Sequence, residues 1–258
     1  MGWPPRSTIS ARPWVNSRTS SGLANDLCST TWVMATCVPP LDGMGYAYLL
    51  IGKLSMGSFR PRIRGVRDGL EPTGTAARIL DVAERLVQSR GFNGFSYADV
   101  ASELGVTKAS LHYHFPGKAE LGEALIDRYA RRFGEALEGI DAECADPRQK
   151  LDRYAQLYAL VLKDQRMCLC GMLAADYATL PTAMRQAVVR FFDENQAWLQ
   201  KVLEEGQEQG TLHYESSAAG EAQLIIGALE GAMLVARPYG DTDRFEATAR
   251  RLLATLSA

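Results

Sequence analysis

From about residue 74 to the C-terminus, apolar side chains recur every three or four positions, and no segment alternates with period two. This spacing lays one apolar stripe along each of a series of helices and leaves no strand from which to build a sheet. In TAARILDVAERLVQSRGF, Ile79, Val82, Ala83, Leu86 and Val87 share a face, and Gly91 supplies a stop. SYADVASELG follows, with Ser96 and Asp99 spaced as a capping box in which Asp replaces the usual Glu or Gln. Val100, Ala101 and Leu104 form its inward face and Gly105 ends it. Thr107 is placed to cap a short helix over 108–115, closed by Pro116-Gly117, and a longer helix is expected from Lys118 to about Leu137. Beyond the turn ECADPRQ (143–149), helices are expected near 147–163, 167–179, 181–209, 217–237 and 242–256. Asp176, Pro181, Gly210, Ser217 and Pro238-Tyr239-Gly240 punctuate them. The expected fold class is all-α.

The spacing around Gly105 is that of a helix-turn-helix. Ala101 is small enough to let the second helix approach, Gly105 makes the turn, and Val100, Leu104, Val106 and Leu111 fill the seam. With those side chains inside, Thr107, Lys108, Ala109, Ser110, His112 and Tyr113 must point away from the core, at the part of such a motif that enters a major groove. His114 falls where an apolar residue is usual, and Phe115 is expected to fill that space. Two other readings of GVTKASLHYHFPGK weaken on geometry. His112 and His114, two apart on a helix, diverge and cannot share a metal ion. A short exposed helix is also a poor place for the partnered histidine that catalysis needs.

Residues 75–126 resemble the N-terminal domain of TetR-family transcriptional regulators. The likeness rests on a first helix ending in GF, then ADVASELGV, then KASLHYHF, then a Lys and a Leu opening the fourth helix. It implies that Tyr113, His114 and Lys118 contact DNA phosphates. Phenol, imidazole and ammonium donors suit that role, Lys118 standing where a helix N-terminus already favours an anion. Thr107, Lys108, Ala109 and His112 are the candidates for base edges, with Ser110 beside them on the same face. RMCLCGMLAADYATLPTAMRQAVVRFFDENQAWLQKVLEEGQEQGTL and the later AGEAQLIIGALEGAMLVAR resemble the C-terminal domains of one branch of the family, which implies ligand binding and dimerisation there.

Charge complicates the picture. Residues 66–130 carry seven Lys/Arg against nine Asp/Glu, without the basic excess expected of a DNA binder, whereas residues 1–65 carry seven Lys/Arg against two Asp. Residues 1–70 are rich in Ser, Thr, Gly, Pro and Arg and lack periodicity. They read either as a disordered arm or as upstream sequence ahead of a true start at Met56, and RPRIRGVR (60–67) reads as an arm following a DNA backbone. The expected organisation is this extension, a DNA-binding domain over 71–125 and an effector-binding and dimerisation domain over 126–258.

In that last region Phe191, Trp198, Val202, Ile225, Leu229 and Met233 recur at helical spacing beside Gly227, Ala228, Gly231 and Ala232. They read either as core packed inside one subunit or as a four-helix interface between two copies, which would set two reading heads about 34 Å apart on a palindromic operator. Cys168 and Cys170 are either small buried hydrophobes or a thiol sensor, with Arg166 and a helix N-terminus lowering the pKa of Cys168. Met172, Asp176, Tyr177, Tyr158 and Phe192 are candidates to line an effector pocket. Five scattered cysteines match neither a disulfide framework nor a zinc spacing. No cofactor, metal or membrane span is expected, and the location expected is the cytoplasm. The reading that emerges is a homodimeric repressor of a double-stranded DNA operator, responsive to a small molecule or an electrophile. Its rivals are a constitutive DNA-binding or activating protein and a Cys168-dependent enzyme.

Overall fold

The computed structural model describes residues 74–256, so the extension and its RPRIRGVR segment lie outside the described residues. Within them the chain forms nine α-helices and no strand: α1 (Thr75–Arg90), α2 (Tyr97–Leu104), α3 (Lys108–His114), α4 (Lys118–Glu143), α5 (Pro147–Lys163), α6 (Leu169–Ala175), α7 (Thr182–Glu208), α8 (Ala218–Ala236) and α9 (Thr242–Ala254). Local chemistry starts most of them. Both the N–H and the hydroxyl of Ser96 donate to Asp99, at 2.7 and 2.6 Å, to begin α2. Thr107, Asp146, Ser217 and Asp241 accept first-turn N–H groups at the heads of α3, α5, α8 and α9.

Two boundaries differ from the periodic pattern. The α4 helix continues to Glu143 rather than ending near Leu137, because Gly139 sits in open space and costs the helix only about 1 kcal/mol of propensity. The segment over 167–179 does not form one helix. Met167 donates its N–H to the Gln88 carbonyl at 3.1 Å, Cys168 caps α6, and a 3₁₀ turn over Tyr177–Thr179 follows it.

The helices α1–α3 close on one another, and α4 leaves that group to pack against α5, α6 and α7, while α8 packs against both α7 and α9. One continuous core runs from Ile79, Leu86, Val100, Leu111 and Leu125 to Tyr154, Phe191, Leu229, Met233 and Phe245.

The stripe expected to face a second copy is part of this core. Phe191, Val202, Ile225, Leu229 and Met233 are fully buried within the chain, and half-buried Trp198 donates its indole N–H to Asp141 at 3.0 Å. What α8 leaves open is its other side: Leu224, Gly227, Gly231, Leu234 and Val235. Helical spacing alone could not separate the two faces, since α8 is apolar almost all round. By length and composition the stretch Ala218–Tyr239 would suffice to cross a membrane, yet it packs against α5, α7 and α9.

Candidate DNA-reading face and junction cavity

The turn before α3 depends on Gly105, held at φ 67°, ψ 32°, where a side chain would be strained; Val106 then donates back to Ala101 at 3.1 Å. Val100, Ala101 and Leu111 are buried in the seam, with Leu104, Val106 and Phe115 packed on it. The far end of α3 is clamped by Tyr97, whose hydroxyl lies 2.9 Å from the Phe115 carbonyl and 2.6 Å from that of Gly117. Burial, then the charge of Glu120, pushes this phenol up to about 12, which keeps it a donor.

With both ends held, Thr107, Lys108, Ala109, His112 and Tyr113 stand in solvent on one face, and Ser110 and His114 are half-buried beside them. Tyr113 is 85% exposed and meets only the edge of His114, 5.1 Å away. A large phenol left in water is free for a phosphate. His112 is less free, with Nδ1 3.0 Å from the Pro116 carbonyl and its ring against Tyr97, so Nε2 is the nitrogen left to reach outward.

Lys118 departs from the phosphate role implied for it. Its ammonium donates to the carbonyls of Phe92 and Phe95, the latter at 2.6 Å, and lies 4.6 and 4.3 Å from the centres of their rings. Burial pulls its pKa below the ordinary lysine range. The cation fastens α4 to the α1–α2 turn instead of standing free for DNA.

The same turn is held from the other side. Asp176 accepts from the N–H of Phe92 at 2.7 Å and of Asn93 at 3.4 Å, Asn93 donates to Thr179 at 2.8 Å, and Arg237 donates to the Ser89 carbonyl. Gly91 has φ 80°, and a Cβ there would lie 2.8 Å from the Asp176 carboxylate. Higher on α1, Arg128 reaches Asp81 at 2.8 Å and Glu84 at 2.6 Å, and Arg132 reaches Glu84 at 3.1 Å.

These ion pairs wall a cavity of about 190 Å³ between α1, α4 and α5. Its apolar side is formed by Tyr129, Phe133, Leu157, Tyr158, Val161 and Met233. Of the residues expected to meet an effector, Tyr158 and Cys168 line it. Met172 meets Arg237 through sulfur, Asp176 holds the α1–α2 turn, Tyr177 is exposed beside Arg185, Phe192 packs on Phe191 and Cys170 is buried.

Cys168 does cap α6, its sulfur 3.5 Å from the Gly171 N–H, but of its two readings the surroundings produce the buried hydrophobe and not the acidic thiol. Arg166 turns to Asp164 and Gln88. Burial, then the negative charge of Glu230, pushes the thiol well above its ordinary range. Cys170 is shifted the same way for the same reasons.

Residues 79–125 match the family described as bacterial regulatory proteins, tetR family, and residues 147–252 match the tetracyclin repressor-like C-terminal domain. A TetR-family transcriptional regulator from Agrobacterium tumefaciens is 32% identical and superposes with a TM-score of 0.69 over 71% of this chain and 97% of its own. One from Legionella pneumophila, also 32% identical, gives 0.66 over 73% and 100%. The HTH-type transcriptional repressor NemR of Escherichia coli (strain K12) is 25% identical over 70% of this chain and 94% of its own. This chain belongs to the TetR family. It is a DNA-binding transcriptional regulator with an effector-binding domain, in a family of regulatory proteins rather than enzymes.

In this TetR-family chain, sequence reasoning missed Asp81, Glu84, Arg128 and Arg132, which join the reading domain to the cavity. Their signal was faint: two acids at i,i+3 on one helix and two arginines at i,i+4 on another, complementary only once the helices pair.

Proposed function

We propose that the chain is a repressor that binds a palindromic operator as a homodimer and is released when a small molecule occupies the junction cavity. The observation that carries this reading is that α1, the first helix of the reading domain, supplies Asp81, Glu84 and Gln88 to the cavity wall. A ligand there touches the helix that positions α3. The proposed domain boundary at 125/126 falls inside the continuous α4, which makes α4 a rigid arm between the two regions. The repressive direction is supported by the Escherichia coli relative, itself named a repressor. Thr107, Lys108, Ala109 and Nε2 of His112 read bases, Tyr113 and His114 hold phosphates, and the cytoplasm is where these contacts are made. Two copies join through the open side of α8, where Gly227 and Gly231 let backbones approach. No catalytic role is assigned to Cys168: the protonated, buried thiol favours a packing role over a nucleophile or a thiolate sensor.

Fluorescence anisotropy on labelled DNA from upstream of the chain's own gene tests the reading. Tight, salt-sensitive binding that Tyr113→Ala weakens at least tenfold, and that Cys168→Ser leaves intact with or without oxidant, is expected. Selection from random duplexes that recovers no inverted repeat would overturn it.

A further inference from the structure

Residues 91–96 join α1 to α2 and so set where α2, and α3 packed on it, stand relative to the rest of the chain. Two opposite charges grip the main chain of this turn. Asp176 accepts from the N–H of Phe92 at 2.7 Å and of Asn93 at 3.4 Å, and Lys118 donates to the carbonyls of Phe92 and Phe95. Phe92 is thus held at its amide by a carboxylate and at its carbonyl by an ammonium. Hydrogen bonds with one charged partner are roughly twice as strong as neutral ones. The charges also support each other: burial lowers the pKa of Lys118, and the negative charge of Asp176, then of Asp99, opposes that fall. Lys118 opens the helix that follows the reading head, whereas Asp176 closes α6 in the effector-binding domain, 84 residues from Phe92.

Asp176 is itself well fixed. Its N–H donates to the carbonyls of Met172 and Leu173 at 3.3 and 3.1 Å, and its carbonyl accepts from the N–H and the hydroxyl of Thr179 at 3.0 and 2.8 Å. Gly91, at φ 80°, leaves room for the carboxylate, because a Cβ there would lie 2.8 Å from Oδ2. The neighbouring bonds from Asn93 to Thr179 and from Arg237 to Ser89 end on an exposed side chain and on α1 respectively. Among the described residues of the effector-binding domain, Asp176 is therefore the one that holds the main chain of the turn. We propose that Asp176 is a positioning residue for DNA reading: from outside the reading domain, and without touching DNA, it sets how α2 and α3 are presented. This rests on reading through α3 and is independent of release by a ligand. Base contacts need α3 placed to within a hydrogen-bond length, whereas phosphate contacts tolerate a looser head, so losing Asp176 separates the two kinds of binding.

Asp176→Ala, Asp176→Asn, Gly91→Ala and the double variant Gly91→Ala with Asp176→Ala test this as full chains, by fluorescence anisotropy on a selected operator and on a random duplex of equal length. Asp176→Ala is expected to weaken operator binding about tenfold or more and random-duplex binding by less than about twofold. Asp176→Asn keeps an oxygen acceptor for Phe92 and is expected to recover part of the loss. Gly91→Ala pushes the carboxylate aside and reads the same contact should the truncation unfold the chain. It is expected to weaken operator binding on its own and to add less than about twofold in the double variant, since both changes break one interaction. Hydrogen exchange without DNA is expected to speed over residues 91–115 in Asp176→Ala and Gly91→Ala, with α7 and α8 unchanged. Equal losses on both DNAs, no recovery in Asp176→Asn, additive losses in the double variant, or exchange that rises throughout the chain or nowhere would each overturn the assignment. A wild type that selects no operator would sink this assignment together with the reading it rests on, whereas an operator-binding wild type matched by Asp176→Ala would sink the assignment alone.

Discussion

Glu230 shows how one side chain can store a pH response inside an apolar helix. It is the lone charge in LIIGALEGAMLV of α8, and its carboxylate reaches the head of α6, where a Cβ on Gly171 would lie 2.3 Å from Oε2. Oε1 is buried without a partner, and the groups around it are Cys168, Cys170, Tyr129, Tyr154 and Tyr158, none a cation. Burial therefore raises its pKa from the usual 4.5 to about 7, against a smaller lowering by the Cys168 hydrogen bond. The sign follows from linkage. Below the unfolded pKa both states hold the proton; as pH rises toward about 7 the unfolded state releases it first, and stability falls. Glu230→Gln removes the proton from the balance. Chemical denaturation at fixed protein concentration is expected to give similar stabilities for the two proteins near pH 5, and a variant more stable by on the order of 2–3 kcal/mol near pH 8. An unchanging difference across that range would mean that the native carboxyl is already ionised at pH 5. A lone acid in an apolar helix is visible in the sequence; the depth at which it sits is not, because that depends on Gly171, far away in the chain.

At the scale of elements, the reading head was largely legible and its fastenings were not. The turn glycine, the seam residues and the exposed face of α3 follow from spacing, because a helix-turn-helix leaves few ways to bury Val100, Ala101 and Leu111 together. Tyr97 and Lys118 instead take roles that spacing cannot reveal, each reaching backbone carbonyls about twenty or more residues away in sequence. The segment after Arg166 read as one helix because the pull of Gln88 on Met167 is likewise a long-range bond. The clamp at Tyr97 has a measurable consequence. Tyr97→Phe keeps the ring and loses the donor to two carbonyls, so it is expected to cost about 1–3 kcal/mol. For a chain of this size that lowers the melting temperature by several degrees. Operator affinity is expected to fall more than affinity for random DNA, since base contacts need α3 fixed and phosphate contacts do not. Equal losses on both DNAs would place Tyr97 in general stability alone.

Across the whole molecule, the proposed homodimer needs its two reading heads spaced by something outside either of them, and the uncovered face of α8 is the surface suited to it. Leu224 is 54% exposed, Leu234 62% and Val235 57%, aligned with Gly227 and Gly231 along a helix whose opposite side is core. Apolar area of that kind left in water is unfavourable by roughly 25 cal/mol per Å² and is covered when a second copy packs on it. The face also explains how a helix apolar enough to cross a membrane belongs in a DNA-binding regulator. One side of it fills the subunit, and in the proposed dimer the other meets its equivalent across a two-fold axis. Leu234→Glu puts a charge in that contact without disturbing the core. The wild type is expected to sediment at twice the mass of the chain and the variant at once that mass, with helical content unchanged by circular dichroism. On an operator with two half-sites the variant should bind at least a hundredfold more weakly and show about half the dependence of log affinity on log salt, because one reading head instead of two displaces counterions. A variant that stays dimeric, or one that turns monomeric yet keeps full affinity and salt dependence, would move the two-fold axis away from α8 or remove its role in reading the operator.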